Sequence, residues 1–366
     1  MNWRDVSHPM AGGAEVFTHE VAKRWVKWGH DVTLLTSRPA GTREREEVDG
    51  VNLIRHGGRF KVYPYAMKVY MQDFRGNVDV VIDEINYVPF FTPLYVKEPK
   101  VALIHQLARE CWFAATNFPL VSHLGYLFEP AYLRLYRSVD AVVTVSESTK
   151  LDLMRVAGIG EEKIRILPEG NSSPQDNAYD KSPVPLIAYL GRISSYKGLE
   201  DLVKATVLLR KKISNLRTVI AGKADGHYLG NIVRLAADYH APIEFLTGVS
   251  EEDRLRLLSE AWACVHTSVR EGFGLNIIDA ASMGTPTVAY DSPGLRDAVI
   301  NGQTGILVPS GNLLALVDGL SLILLDDILR AKLSANAIRW SSAFDWKNTA
   351  KTFLNLLAAV ADRQYD

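Results

Sequence analysis

Val269-Arg270-Glu271-Gly272-Phe273-Gly274-Leu275-Asn276-Ile277-Ile278-Asp279 follows the apolar run Ala263 to Thr267. Short apolar run, glycine turn and helix-forming segment in that order are the signature of a parallel strand feeding a crossover helix. With Gly272 to Gly274 in the turn, Glu271 stands in the loop at the strand's carboxyl end, and Asp279 lies one turn inside the helix that starts near Leu275. Carboxylates so placed can take sugar or ribose hydroxyls, and the free N–H groups of Phe273 to Leu275 can take a phosphate. Taken alone, the segment also reads as a glycine turn flanked by surface acids.

The same alternation runs outward in both directions. Strands are expected at Leu186 to Leu190, Thr218 to Ala221, Ile243 to Leu246, Ala263 to Thr267 and Thr287 to Tyr290. Upstream they are expected at Val32 to Thr36, Val51 to His56, Asp79 to Ile82, Lys100 to His105, Ala141 to Val145 and Ile164 to Leu167. Phe17, Val21, Trp25 and Trp28 share one helix face as a core stripe, ended by Gly29. The stretch Pro168 to Pro185, with four prolines among Ser, Asn, Asp and Gly, resists both helix and strand. The expected organisation is an N-terminal domain over 1–170, a linker over 171–185, a second domain over 186–342 and a C-terminal helix within 343–366 that packs across the hinge toward the N-terminal domain. One strand is in deficit: only Met1, Asn2 and Trp3 precede the first turn residues, where a doubly wound sheet starts with its central strand.

Bulk properties exclude several classes. A chain of 366 residues, 47% hydrophobic and 23% charged, is an ordinary globular protein large enough for two α/β domains. Lys plus Arg number 41 against 42 for Asp plus Glu, so the net charge of -1 offers no field for a polyanion, and no nucleic-acid partner is expected. Cys111 and Cys264 fit neither a disulfide framework nor a zinc set. Polar residues interrupt the start where a leader would be apolar, and the longest uncharged stretch, Cys111 to Phe128, is too polar to span a bilayer. A cytoplasmic protein is expected, with any membrane contact made from the side at the inner face. No Asp-x-Asp, Walker loop, Gly-x-Gly-x-x-Gly or Gly-x-Ser-x-Gly occurs, which counts against metal-held nucleotide chemistry, P-loop ATPases, dehydrogenases and α/β hydrolases.

Two further elements carry chemistry. Gly12-Gly13 stands directly before a helix, where a backbone without Cβ atoms can approach a pyrophosphate; on spacing alone it also reads as a tight turn. Gly191-Arg192 through Lys197-Gly198 leads from a strand into a helix. Arg192 can offer a fork of donors and Lys197 a mobile point charge, together neutralising a diphosphate leaving group without a metal. A solvated basic loop is the alternative reading.

The ordered set Gly12-Gly13-Ala14-Glu15, Gly29-His30-Asp31-Val32, Gly191-Arg192 with Lys197-Gly198, Glu271-Gly272-Phe273-Gly274-Leu275, Gly284-Thr285-Pro286-Thr287-Val288 and Asn301-Gly302 with Gly305 resembles family 4 (group 1) retaining glycosyltransferases of the GT-B fold. The resemblance covers nearly the whole chain. It implies an α/β architecture of two Rossmann-like domains facing across a cleft, no cofactor, no metal, and a nucleotide diphosphate sugar as donor. It implies that Gly12 and Gly13 give N–H groups to the donor diphosphate, that Arg192 and Lys197 bind the same phosphates, and that Gly272, Phe273, Gly274 and Leu275 line the donor site. Glu271 then contacts the donor sugar, and His105, after Val101-Ala102-Leu103-Ile104, faces the same sugar. Asp279 falls where the family has a ribose-binding Glu, one methylene longer.

The implied reaction moves a hexose to an acceptor hydroxyl with retained stereochemistry, on a saccharide or lipid-linked acceptor in glycan or cell-surface polysaccharide synthesis. Basic and aromatic residues mixed over Arg55 to Arg75 suit a peripheral contact with an anionic membrane, or an ordinary solvated helix and loop. A sugar-nucleotide epimerase or phosphorylase of the same fold, and a catalytically silent GT-B partner, stay open as alternatives.

Overall fold

A computed structural model describes residues 1–115, 118–171 and 179–362. Residues 172–178 of the segment expected as a linker lie outside the described residues. The chain divides into two compact units, Met1–Gly170 with Asp345–Asp366, and Asn171–Phe344.

In the first unit, α1 (Gly13–Lys27) precedes a three-stranded sheet of β1 (Thr33–Thr36), β2 (Arg45–Val48) and β3 (Val51–Arg55). Its order is β1-β3-β2, with β2 antiparallel. After α2 (Val62–Val69) a parallel sheet runs in sequence order through β4 (Val81–Glu84), β5 (Lys100–Leu103), β6 (Ala141–Thr144) and β7 (Ile164–Ile166). Helices α3 (Trp112–Ala115), α4 (Pro119–Leu133) and α5 (Glu147–Asp152) connect its strands. Strand β6 is buried along its whole length, as a parallel strand covered on both faces must be.

The missing strand resolves in part. Met1 to Trp3 lies between the edges of β1 and β4: Glu84 N–H donates to Met1 O at 2.9 Å, and Asn2 N–H to Leu35 O at 3.1 Å. The stripe on α1 also needs one correction. Phe17, Val21 and Trp25 are buried, but Trp28 sits at the helix's C-terminal cap and is 37% exposed, because Gly29 at φ +93° turns the chain away.

The second unit holds β8 (Leu186–Leu190), β9 (Arg217–Ala221), β10 (Ile243–Leu246), β11 (Ala263–His266), β12 (Thr287–Tyr290) and β13 (Gly305–Val308). They form one parallel sheet in the order β10-β9-β8-β11-β12-β13. Counted from β8 this is third, second, first, fourth, fifth, sixth, the doubly wound order, and its direction reverses between β8 and β11. The helices are α6 (Leu199–Arg210), α7 (Gly226–Asp238), α8 (Glu251–Glu260), α9 (Leu275–Ser282), α10 (Leu295–Ala298), α11 (Leu313–Leu325) and α12 (Asp327–Ser341). β8 and β11 are buried throughout, so only their carboxyl ends can present chemistry.

The last helix, α13 (Trp346–Asp362), belongs to the first unit. Phe353 packs edge-on to Trp25 at 5.2 Å, Trp346 edge-on to Phe17 at 5.7 Å, and the Trp25 indole donates to Ala350 O at 2.8 Å.

Candidate active site

In an open parallel sheet a ligand meets the carboxyl ends of the two strands at the point where the order reverses, because the loops there diverge and leave a crevice. In the second unit those ends are Gly191-Arg192 after β8 and Thr267 to Glu271 after β11. The chain after Arg192 makes a short turn through Lys197 and enters α6 at Gly198. This glycine has φ +63°, and a Cβ would lie 2.5 Å from Thr267 O, so both the backbone and the close approach require Gly. The Thr267 hydroxyl donates to Lys197 O and Gly198 O, both at 2.9 Å, and Val269 N–H donates to Tyr196 O at 3.1 Å. The two loops are thereby fastened to each other.

What they bring together is a salt bridge between Lys197 and Glu271. Lys197 is 7% exposed. Burial works against both charges, yet each sustains the other: Glu271 raises the Lys197 pKa above its ordinary value, and Lys197 holds the Glu271 carboxyl below its own. His266, at the end of β11, is pushed down to about 4 by burial and by the Lys197 charge, so it is neutral. The Tyr196 ring lies 4.8 Å from the Lys197 ammonium and 5.7 Å from the Arg192 guanidinium. Two cations, one carboxylate and an aromatic face therefore occupy one strand-end crevice.

Beyond Glu271, a Cβ on Gly294 would fall 2.3 Å from Glu271 O, so this loop too packs against a glycine. Gly274, at φ +109°, begins α9, and Asn276 reaches back to donate to Leu190 O at 3.0 Å. Phe273 is buried, while Gly272 and Leu275 are half-buried. Asp279 is apart from this group. It is 1% exposed and accepts from Arg254 at 2.6 Å. The same guanidinium donates from Nε to Glu251 at 2.8 Å. The short Asp carboxylate is thus engaged by a cation 25 residues away that no local motif pairs with it.

The first unit carries a second cluster. Gly12 precedes α1, and its N–H donates to Glu15 Oε2 at 2.6 Å while Arg4 holds Glu15 Oε1 at 2.8 Å. Glu15 is a capping residue. A Cβ on Gly13 would make only ordinary contact, 3.5 Å from Glu169 Oε1, so the glycine is not sterically required, and a carboxylate faces the helix start. His105, 4% exposed, lies between two buried acids, Glu84 at 3.4 Å from Nε2 and Glu169 at 3.6 Å from Nδ1. These are ion-pair distances, and neither ring nitrogen has a hydrogen-bond partner. Burial opposes a charge on the imidazole, but Glu169 and Glu84 outweigh it and raise the pKa to about 9.

Glu84, Glu169 and Arg254 were not singled out from the sequence. Glu169 stands in a segment whose prolines read as linker, and Glu84 lies beyond the strand expected at Asp79 to Ile82. A carboxylate at the end of a parallel strand was the available signal for Glu84; nothing local marked Arg254. The basic-aromatic segment needs correcting as well. Arg55 is fully buried and bonds Asp5 at 2.6 Å, and Tyr70 is 1% exposed with its hydroxyl on Glu98. Arg59, Phe60, Lys61, Met67, Lys68, Met71 and Arg75 remain exposed. No described helix is long and apolar enough to cross a membrane, and no group of His, Cys, Asp and Glu among the described residues could hold a metal ion.

Comparison with known proteins agrees with this architecture. Residues 11–171 match the family described as Glycosyltransferase Family 4, and residues 173–340 match Glycosyl transferases group 1. The chain belongs to the family 4, group 1 glycosyltransferases of the GT-B fold. It is similar to the glycogen synthase of Mycobacterium tuberculosis, 30% identical over 63% of this chain and 57% of that protein. The chain thus matches less than two thirds of that relative's length. It is 29% identical to a D-inositol 3-phosphate glycosyltransferase of Corynebacterium urealyticum, over 96% of this chain and 91% of that protein. Among solved structures, sucrose-phosphate synthase of Thermosynechococcus elongatus superposes with a TM-score of 0.82 at 22% identity, covering 98% and 96% of the two chains. Anabaena HepE in complex with UDP-glucose does so at 0.76 and 16%, covering 98% of each.

The His105 cluster sets a pH dependence. Its folded pKa of about 9 lies above the ordinary 6.5, so its stabilisation is complete below about pH 6.5 and is lost as pH rises through 9. The shift corresponds to at most about 3 kcal/mol. Urea unfolding of the first unit at pH 6, 7.5 and 9.5 is expected to show falling stability, and His105→Gln to remove most of the slope. An unchanged slope in that variant would mean that His105 is not charged in the folded protein.

Proposed function

We propose that the protein is a retaining, metal-independent glycosyltransferase that moves a hexose from a nucleotide diphosphate sugar to an acceptor hydroxyl. The observation that carries this reading is the buried Lys197 beside Glu271 and Arg192 at the strand ends of the second unit. A diphosphate leaving group develops negative charge as the glycosidic bond breaks, and preformed cations in a water-poor crevice stabilise that charge without reorganising. Arg192 supplies a bidentate fork and Lys197 a point charge, the work a divalent ion does in metal-dependent transferases. Glu271, already ionised against Lys197, accepts hydrogen bonds from donor-sugar hydroxyls, and the N–H groups at the start of α9 complete the phosphate contacts.

In this reading the acceptor hydroxyl attacks the anomeric carbon from the face that the diphosphate leaves, its proton passing to the leaving phosphate. His105 positions the sugar, and Gly12 and Gly13 add N–H contacts from the first unit. Since Glu169 faces Gly13, donor phosphate there requires that carboxylate to turn away or to be neutralised. Asp279 reaches the ribose only together with Arg254, the guanidinium and carboxylate sharing the two hydroxyls. That engagement also favours a second reading, a silent nucleotide-sugar-binding partner. A panel of UDP, GDP and ADP sugars separates the two, because a silent partner binds a donor yet neither transfers nor hydrolyses it. The UDP-glucose complex of HepE puts UDP sugars first in the panel.

For the acceptor we favour a saccharide or lipid-linked hydroxyl. The exposed face with Phe60 at 79%, flanked by Arg59, Lys61 and Lys68, supports contact with an anionic lipid surface. Sedimentation with anionic vesicles is expected at low salt and to fade at high salt; no binding at low salt would remove the membrane from the account. For the chemistry, Lys197→Ala is expected to lower kcat at least about a hundredfold with the fold retained. Chelator is expected to leave wild-type turnover unchanged. Turnover of Lys197→Ala within threefold of wild type would contradict the assignment of the leaving-group cation.

A further inference from the structure

Polar atoms buried without a partner gather at the carboxyl ends of the first unit's strands. Thr36, Glu84 and Thr144 end β1, β4 and β6, His105 and Gln106 follow β5, and Trp112 opens α3 further along the same connection. Each has a buried side-chain nitrogen or oxygen with no hydrogen-bond partner. Buried polar groups are nearly always satisfied, and the strand ends of a parallel sheet are where such folds take ligands, so these exceptions mark groups that a ligand satisfies.

Two of the atoms offer complementary chemistry. The Trp112 indole N–H can only donate, and the Gln106 side-chain oxygen can only accept. Trp112 is 6% exposed. Its ring is fitted against α4, where a Cβ on Gly125 would lie 2.5 Å from it, and it stands edge-on to the Tyr87 ring at 5.0 Å. Tyr87 holds φ +70°, which a bulky residue adopts only where its surroundings enforce it, and its carbonyl accepts from the Tyr132 hydroxyl. The indole donor is therefore fixed in place on a strained, pinned turn.

The other neighbour of Tyr87 is a cation. The Arg59 guanidinium lies 5.9 Å from the Tyr87 ring, 5.9 Å from that of Phe60 and 5.3 Å from that of Trp3. Arg59 is exposed and makes no ion pair among the described residues. Aromatic rings within about 6 Å attract a guanidinium without neutralising it, so its fork of donors stays available to an oxyanion.

We propose that Trp112, Gln106 and Arg59 form a recognition site for an acceptor that is a phosphate-bearing saccharide or polyol. The indole donates to a ring or hydroxyl oxygen, the amide oxygen accepts from a hydroxyl, and the Arg59 fork takes the phosphate. A soluble sugar phosphate and a lipid headgroup present the same chemistry to these three groups. Calling the ligand an acceptor rests on the transferase reading given above. Its binding does not, because Arg59 and Trp112 belong to the first unit and Lys197 and Glu271 to the second.

The test is a titration of the full-length chain, isotopically labelled at tryptophan, followed by NMR at the Trp112 indole signal, which Trp112→Phe assigns. Glucose 6-phosphate is expected to shift that signal downfield along a saturating curve, with glucose and inorganic phosphate each binding at least about tenfold more weakly. Arg59→Gln is expected to weaken glucose 6-phosphate at least about tenfold, the other indole signals staying in place to show that the fold is kept. Monomeric short-chain phosphatidylglycerol, with phosphatidylcholine of the same chain length as control, separates the two sources. A saturating shift from phosphatidylglycerol alone, lost in Arg59→Gln, assigns the phosphate to a headgroup and supports the site. No saturating shift from either phosphate ester would overturn the proposal, as would equal affinity in Arg59→Gln or equal affinity for glucose. Since the readout is binding, full turnover by Lys197→Ala would leave a positive result standing, and a negative result leaves the donor chemistry untouched.

Discussion

The salt bridge between Lys197 and Glu271 is the constraint on which the candidate site depends. Each group is tolerable in its surroundings only because of the other, and removing one partner of a buried pair commonly costs about 3–5 kcal/mol. The pair, 74 residues apart in sequence, exists because two loops from neighbouring strands are fastened together by the Thr267 hydroxyl and by a glycine that admits Thr267 O. The fold therefore does more than display two charged residues. It buries a cation and its counter-charge side by side at the strand ends, the arrangement that the proposed diphosphate site requires.

Placement follows from strand order. Because β8 and β11 are adjacent while their crossover helices lie on opposite faces, their loops part at the carboxyl ends, and groups on either side can reach one ligand. Taken by itself, the first unit carries different chemistry: a buried imidazole with an acid on each side. One cluster is suited to anions and the other is rich in carboxylates.

Much of this was legible in the sequence. Apolar runs marked most of the parallel strands, because strands covered on both faces have no polar alternation to obscure them. β2 was missed because Arg45, Glu46 and Glu47 make it a charged edge strand, recognisable only from its partner β3. β13, opening on Gly305, was hidden for another reason: a Cβ there would lie 2.1 Å from Thr287 O, so the glycine that reads as a turn signal is a close approach between strands. Glycine turns and the order of Arg192, Lys197 and Glu271 marked the loops that the structure brings together at the strand ends of the second unit. The pairing of Lys197 with Glu271, the Arg254 hold on Asp279 and the Glu84–His105–Glu169 cluster join residues far apart in the chain, and no local pattern encodes them.

The central claim is that the strand-end crevice of the second unit is a diphosphate site built from Arg192 and Lys197. Calorimetric titration of UDP, GDP and ADP into the wild-type chain and into the Arg192→Ala, Lys197→Ala double variant tests it most directly. At least one nucleotide is expected to bind the wild type and to lose a hundredfold or more in affinity for the variant, with thermal unfolding showing that the variant is folded. Equal affinity in the two proteins would contradict the account.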